Sequence, residues 1–210
     1  MKLFVGLPIV GQVPVLFLNS MMRLVQEQPC DLEVRICHGS GLMLARNTLC
    51  AQFLKSDADR LLFIDGDIVF TPEDVERISS HAVDVVGGFY AKKMDGPGIE
   101  WVNAAHAAAT PRADGLELCD YVGTGFMCIT RDVLETMRAR LRHLAFGDGL
   151  FDWWTMGVWT EGERRIYLTE DYYFCKRWQA MGGELFADTK CVVQHIGEAV
   201  FPLRHQRRAA

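Results

Sequence analysis

The run Leu61-Leu62-Phe63-Ile64-Asp65-Gly66-Asp67 constrains this chain more than any other segment. Four consecutive apolar residues suit a strand covered on both faces, as in a parallel sheet sandwiched between helices. Two carboxylates around one glycine then end the run, so negative charge gathers where the strand leaves the sheet. That is where ligands collect in open α/β sheets, and carboxylate oxygens are what a hard divalent cation takes. A solvated Asp-Gly turn has the same composition and remains the competing explanation. An EF-hand does not fit: Glu76 stands twelfth from Asp65, but Val69 and Phe70 occupy places that need an oxygen ligand and a glycine. Thr71-Pro72-Glu73-Asp74 follows as a helix start, with a capping hydroxyl, proline at the first helical position and acids at the positive end of the dipole.

Around this segment, short apolar runs alternate with helix-period stretches, the pattern of βα units. Strands are predicted over residues 3–10, 32–37, 61–64 and 83–91. Helices are predicted over 15–26, 42–53 and 131–144, and from Thr71 and Thr169 onward, the last ending at Gly182-Gly183. Residues 92–114 read as a loop with one strand around Trp101, and 121–129 as a strand or loop-strand broken by Gly123 and Gly125. Residues 147–162 read as a mobile surface loop, and 184–187 and 191–194 as short strands. The expected fold is α/β: one domain over residues 1–210, with a mainly parallel central sheet flanked by helices and a small C-terminal antiparallel element.

The chain has 210 residues, half of them apolar and 23% charged, which excludes disordered and fibrous classes. No apolar stretch is long enough for a membrane span, and a net charge of −5 disfavours nucleic acid as a partner. Residues 3–18 resemble a signal peptide superficially, yet Pro8, Gly11, Gln12 and Pro14 interrupt them, and strand, turn and helix is the better reading. Seven scattered cysteines without CxxC spacing point to reduced thiols in a cytoplasmic protein. The basic tail from Arg204 to Arg208 reads as a frayed terminus or as a contact to phosphate or an anionic membrane surface. Phe151, Trp153, Trp154 and Trp159 cluster in the 147–162 loop, where they either stack on sugar rings as acceptor-binding residues or pack into the core.

LLFIDGDIVFTPEDV, preceded by ARNTLCAQFL and followed by VDVVGGFYAKK, resembles the DxD region of GT-A-fold nucleotide-sugar glycosyltransferases, particularly the small family-two-like and Anp1-like enzymes. The resemblance extends to YVGTGFMCITRDVLE and TEDYYFCKRWQAMGGELFADTKCVVQHIG, so it covers nearly the whole chain in order. It implies a Rossmann-like GT-A fold and a metal-dependent transferase. Asp67 then becomes a direct metal ligand and His195 a further one, with Asp65 contacting the ribose or donor sugar and the metal through water. Imidazole beside carboxylates suits manganese, whereas an all-oxygen site suits magnesium. The resemblance also implies donor binding by Pro8, Arg46 and Asn47, and places Gly125 beside donor sugar and acceptor; Lys92 and Lys93, after GGFYA, either offset diphosphate charge at the donor or are simply solvated. Of the catalytic acidic pair, Asp171 is preferred as the base with Glu170 binding acceptor or orienting the loop, although the sequence does not choose between the two neighbours. The bland alternatives are a helix-dipole role for Glu170 and Asp171, a surface Arg46, and a hydrogen-bonded His195 at a strand end.

The function expected is transfer of a sugar from a nucleoside-diphosphate sugar to an acceptor hydroxyl of a glycan, lipid carrier or protein. Inversion is preferred because no nucleophile for a retaining route stands out. One rival is a haloacid-dehalogenase-like magnesium phosphatase, whose nucleophile motif hhhDxDxV also fits, although that motif usually follows the first strand and two βα units precede Asp65. The other is a module that binds a sugar nucleotide or glycan without transferring it. The sequence lacks a P-loop and a dinucleotide fingerprint.

Overall fold

The computed structural model describes residues 1–39, 41–93, 100–107, 109, 112–147, 149–197 and the backbone of 200–201. The strands are β1 (Lys2–Ile9), β2 (Asp31–His38), β3 (Arg60–Ile64), β4 (Ile68–Val69), β5 (Val85–Phe89), β6 (Ala104–Ala105), β7 (Leu116–Tyr121), β8 (Phe126–Thr130), β9 (Ala145–Phe146), β10 (Leu150–Phe151), β11 (Gly157–Glu161), β12 (Arg164–Leu168), β13 (Phe186–Val192), β14 (Gln194–Ile196) and β15 (Val200–Phe201). The α-helices are α1 (Val15–Glu27), α2 (Leu42–Lys55), α3 (Pro72–Ser80), α4 (Arg131–Arg140) and α5 (Glu170–Gln179).

Eight strands form the central sheet in the order β2-β1-β3-β8-β5-β13-β7-β6. β1 runs parallel to β2 and β3, and β13 parallel to β5, while β8 pairs antiparallel with both β3 and β5. Direction therefore reverses at β8 and is restored at β5. It reverses again at β7, which is antiparallel to β13 and β6, so all strands but β7 and β8 point one way. A small sheet β15-β14-β4 supplies the expected C-terminal antiparallel element. The carboxyl ends of β1, β3, β5 and β13 share one edge of the molecule, and the start of β8 lies there too.

Side-chain alternation splits the core into two layers. Phe4, Leu61, Phe63, Met127 and Ile129 pack with α2, α4 and α5 on one face. Leu3, Val5, Leu62, Ile64 and Cys128 pack with α1 and α3 on the other. Near-continuous apolar strands are thus buried on both faces, as the Leu61–Ile64 run requires. α3 starts with the capping box Thr71/Asp74, and α5 ends at Gly182, whose φ of +88° suits glycine. At the start of α4, Arg131 donates to the carbonyls of Phe53, Leu54, Ser56 and Ala58, gathering the end of α2.

Three sequence expectations change. Residues 121–129 are not one strand: β7 ends at Tyr121, Gly123 and Gly125 turn the chain, and β8 inserts between β3 and β5. Residues 147–162 are no mobile loop, because Trp153 and Trp154 are fully buried and the hairpin β11–β12 follows. The helix from Arg131 stops at Arg140, and a 3-10 turn covers Arg142–Leu144. No helix among the described residues is long and apolar enough to cross a membrane. The tail from Arg204 to Arg208 lies outside the described residues.

Candidate active site

Arg46 organises the site. It sits on α2 with its side chain only 2% exposed, and a cation so placed needs anionic partners. One arm donates to both oxygens of Asp65 at 3.0 and 2.9 Å, and the other to Oε1 of Glu170 at 2.6 Å. Burial works against the guanidinium charge, and the carboxylates of Asp65 and Glu170 outweigh it, holding the group above its ordinary value. The bridge ties the end of β3 to the first turn of α5. The expectation of Arg46 at the donor site is thereby refined: its donors are spent on two carboxylates, with Nε left unpartnered.

Asp65 is correspondingly occupied. Its backbone N–H donates to the carbonyl of Gly125 at 2.9 Å, and both carboxylate oxygens face Arg46. Each of those oxygens keeps a second lone pair, so Asp65 can still accept from a ligand while Arg46 holds it.

Two residues on, the surroundings differ. Oδ2 of Asp67 contacts Nζ of Lys93 and lies 3.6 Å from Nε2 of His195, whereas Oδ1 is buried and has no hydrogen-bond partner. Burial alone would raise the Asp67 carboxyl, but the hydrogen bonds and charges of His195 and Lys93 prevail and bring it to about 2. β14 holds His195 in place by pairing with β4, His195 opposite Ile68, and the N–H of Ile196 donates to the Asp67 carbonyl at 2.8 Å. Nδ1 of His195 is 2.9 Å from the carbonyl of Ala91. A carbonyl only accepts, so Nδ1 carries the hydrogen and Nε2 is the nitrogen turned toward Asp67. An oxygen without a partner and an imidazole with a fixed tautomer are donors that fit a divalent cation. Among the described residues no three His, Cys, Asp or Glu side chains converge on one point, so an ion held here would need further ligands from substrate or water.

Asp171, in the first turn of α5, accepts from the Thr169 hydroxyl and from the N–H of Tyr172. Thr169 thus serves Asp171 rather than closing the helix with a capping bond of its own. Burial pushes the Asp171 carboxyl up and Glu170 adds to this, against those two hydrogen bonds and the charge of Arg46. A carboxylate with raised proton affinity is what general-base chemistry near neutrality asks for.

Beside Asp65 and Asp67 lies a hollow of about 290 Å3 walled by Pro8, Ile9, Val13 and Leu42. Pro8 is where the sequence expects a nucleotide base. Neither Asp171 nor His195 lines this hollow, and it is Glu170, the neighbour of Asp171, that Arg46 ties to Asp65 on its wall. A larger hollow of about 530 Å3, lined by Asp84, Arg140, Trp178 and Glu184, opens where β5 and β13 begin. It holds none of the acids or bases described above and lies opposite the strand ends where α/β proteins bind ligands, so the smaller one is the better candidate.

Other expected site residues sit elsewhere. The Asn47 side chain receives the N–H of Trp154 at 2.9 Å and donates to its carbonyl at 3.2 Å, which pins the β10–β11 connection under α2. That is a packing role and corrects the donor-binding expectation. Trp153 and Trp154 are corrected likewise: both indoles are fully buried, Trp154 stacked 4.1 Å from Phe174, and neither offers a face to a sugar. At Gly125 an added Cβ would lie 2.7 Å from the Tyr90 hydroxyl, which itself accepts from the Gly125 N–H, so packing on Tyr90 accounts for the glycine. Lys92 pairs with Glu100. Its neighbour Lys93, the other lysine expected to offset diphosphate charge, is the cation at Asp67.

No protein-family model matches the sequence, and no curated protein sequence matches it. Solved structures do. The crystal structure of A197 from STIV is 18% identical, covering 98% of this chain and 99% of that one at a TM-score of 0.53. The catalytic domain of Drosophila beta1,4galactosyltransferase 7, in complex with xylobiose, is 15% identical over 93% of this chain and 71% of that one, with a TM-score of 0.52. A mutant of that enzyme in complex with manganese, UDP-Gal and xylobiose gives 14% identity over the same shares and a TM-score of 0.51. At these identities the likeness is one of fold, and the fold is GT-A-like.

Proposed function

On a GT-A-like fold, we propose, this chain is a metal-dependent glycosyltransferase that moves a sugar from a nucleoside diphosphate to an acceptor hydroxyl. The observation that carries the reading is the unpartnered, buried Oδ1 of Asp67 beside the oriented Nε2 of His195. Asp67 and His195 would hold manganese or magnesium, with diphosphate oxygens completing the coordination. Bound there, the cation would offset the negative charge that grows on the departing nucleoside diphosphate. The fold neighbour bound to manganese and UDP-Gal lends support.

The chain's own residues divide the remaining work. The walls of Pro8, Ile9, Val13 and Leu42 would take the base of the nucleotide. Asp65, oriented by Arg46, would accept from a ribose or sugar hydroxyl, and Lys93 would turn from Asp67 to the diphosphate. Asp171 would take the proton of the acceptor hydroxyl as its oxygen attacks the anomeric carbon and the bond to the diphosphate breaks, inverting that centre. Glu170 is the weaker candidate for base, because Arg46 claims its Oε1 at 2.6 Å.

Thermal-shift measurements with a panel of nucleotide sugars, with and without manganese, test the reading. We expect a metal-dependent rise for one nucleoside diphosphate class that disappears in Asp67→Ala. No rise with any donor, with or without manganese, overturns it. Hydrolysis of p-nitrophenyl phosphate abolished by Asp65→Asn would instead favour a phosphatase. Two βα units precede Asp65, whereas that nucleophile motif usually follows the first strand, and this placement argues against the phosphatase role.

A further inference from the structure

Helix α1 has two apolar stripes where a helix on a sheet needs one. Phe17, Ser20 and Leu24 are buried, and Met21 packs beside them. Val15, Leu18, Met22 and Val25 are also apolar, yet 79%, 46%, 61% and 50% exposed. Their spacing of three, four and three places them in one row along the helix. Asn19, Ser20 and Arg23 face β4 and α3 across a small hollow, so that row lies on the opposite flank. Because α1 links β1 to β2, the opposite flank overhangs β2.

β2 forms the edge of the central sheet and is eight residues long. A strand of that length with unpaired N–H and C=O groups is a template for another strand. Leu32 and Val34 pack toward the α1 side of the sheet. Ile36, on the same side by alternation, is 63% exposed. The apolar row of α1 and Ile36 of the edge strand thus share one border of the molecule.

We infer that a second copy of this chain covers that border, β2 pairing antiparallel with its twin about a two-fold axis through Val34 while the two α1 rows pack together. Charge selects the register. Residues directly opposite in an antiparallel pair point to the same face, so an axis perpendicular to the sheet must pass through a residue. Centred on Glu33 or Arg35, the pairing sets a residue against its own like charge. Centred on Val34, it sets Glu33 against Arg35 of the other copy twice over on one face, and Leu32 against Ile36 twice over on the other. Within one chain Arg35 already reaches Glu33 at 2.9 Å, so this contact exchanges between copies. A membrane surface is the poorer occupant, because a chain of net charge −5 offers only Arg23 as a basic residue on α1.

Sedimentation equilibrium and light scattering on the whole chain decide the matter. The wild type should have twice the chain mass of 23.7 kDa at micromolar concentration. Arg35→Glu, which sets Glu33 against a new acid, should halve that mass, and the double variant Glu33→Arg/Arg35→Glu should restore it. Met22→Glu should also halve it, with an unchanged circular dichroism spectrum reporting an intact fold. A wild type that stays monomeric up to 100 μM overturns the inference. So does a dimer indifferent to Arg35→Glu and Met22→Glu, or a monomer that floats with anionic vesicles.

Discussion

Asp67 and Asp188 are both carboxylates held below their ordinary range, and their settings differ instructively. Asp188, on β13, is completely buried and hydrogen-bonded on both oxygens: Arg77 Nη2 and the N–H of Lys190 lie at 2.9 Å from one and His81 at 2.6 Å from the other, which also has Arg77 Nε at 2.6 Å as an ion-pair contact without hydrogen-bond alignment. Burial works against its charge, and those partners overcome it. Asp67 ends with Lys93 and His195 on one oxygen and nothing on the other. A carboxylate whose lone pairs are all answered by the chain holds the fold together. A carboxylate oxygen left without a partner beside a hollow, as in Asp67, is what the proposed metal role requires.

The largest way to break this comparison is Asp67→Ala. Transfer should fall on the order of 10³-fold, about 4 kcal/mol of transition-state stabilisation, while the melting temperature falls less than in Asp188→Ala, because the ion pairs of the 37% exposed Asp67 are screened by solvent. Asp188→Ala should do the reverse. Removing one partner of a buried ion pair costs about 3 kcal/mol and lowers the melting temperature by roughly 9 °C, with the metal response of the surviving fold retained. Equal loss of activity from both substitutions, measured per folded molecule, would erase the distinction. Asp171→Asn should cost about 10²-fold in transfer. Its effect on stability has the opposite sign to that of Asp188: the raised carboxyl of Asp171 opposes folding once pH exceeds the unfolded value, so the variant should melt no lower than wild type at pH 7.

The lowered groups work the other way under acid. Their stabilisation is complete above the unfolded value of 3.8 and is lost as pH falls through the folded value, about 2 for Asp67. Denaturant melts between pH 5 and 2 should therefore lose stability more gently in Asp188→Ala than in wild type. The smallest effect separates the two lysines. Lys93→Ala should tighten manganese binding about fivefold by removing a competing cation from Asp67, and calorimetry should find Lys92→Ala unchanged.

Much of this architecture was legible beforehand. Alternation of apolar runs with 3.6-residue periods located β1, α1, β2, α2, β3 and α3, since each buries a simple face, and Thr71-Pro72 marked the start of α3 to the residue. Direction within the sheet was not legible. Nothing local in Phe126–Thr130 says that it slots antiparallel between β3 and β5, because pairing partners are chosen by the whole sheet. Trp153 and Trp154 misled for a related reason: glycine-rich flanks suggest a mobile loop, but the chain dips back and buries Trp154 against α2 and α5 and Trp153 against α4. Asp67 stands out in the sequence by its place at a strand end, whereas the roles proposed for Asp171 and His195 come with the family resemblance. The engagement of Arg46 was not legible, because it spans 124 residues to Glu170.

That one guanidinium has an implication for engineering. Asp65 belongs to the first third of the chain and Glu170 to the last, and Arg46 grips both. Grafting a new C-terminal half to change what the protein modifies would leave a buried positive group facing an empty seat unless the graft brings an acid at the place of Glu170. Chimeras that respect this handshake should express, and those that ignore it should precipitate before their specificity can be assayed.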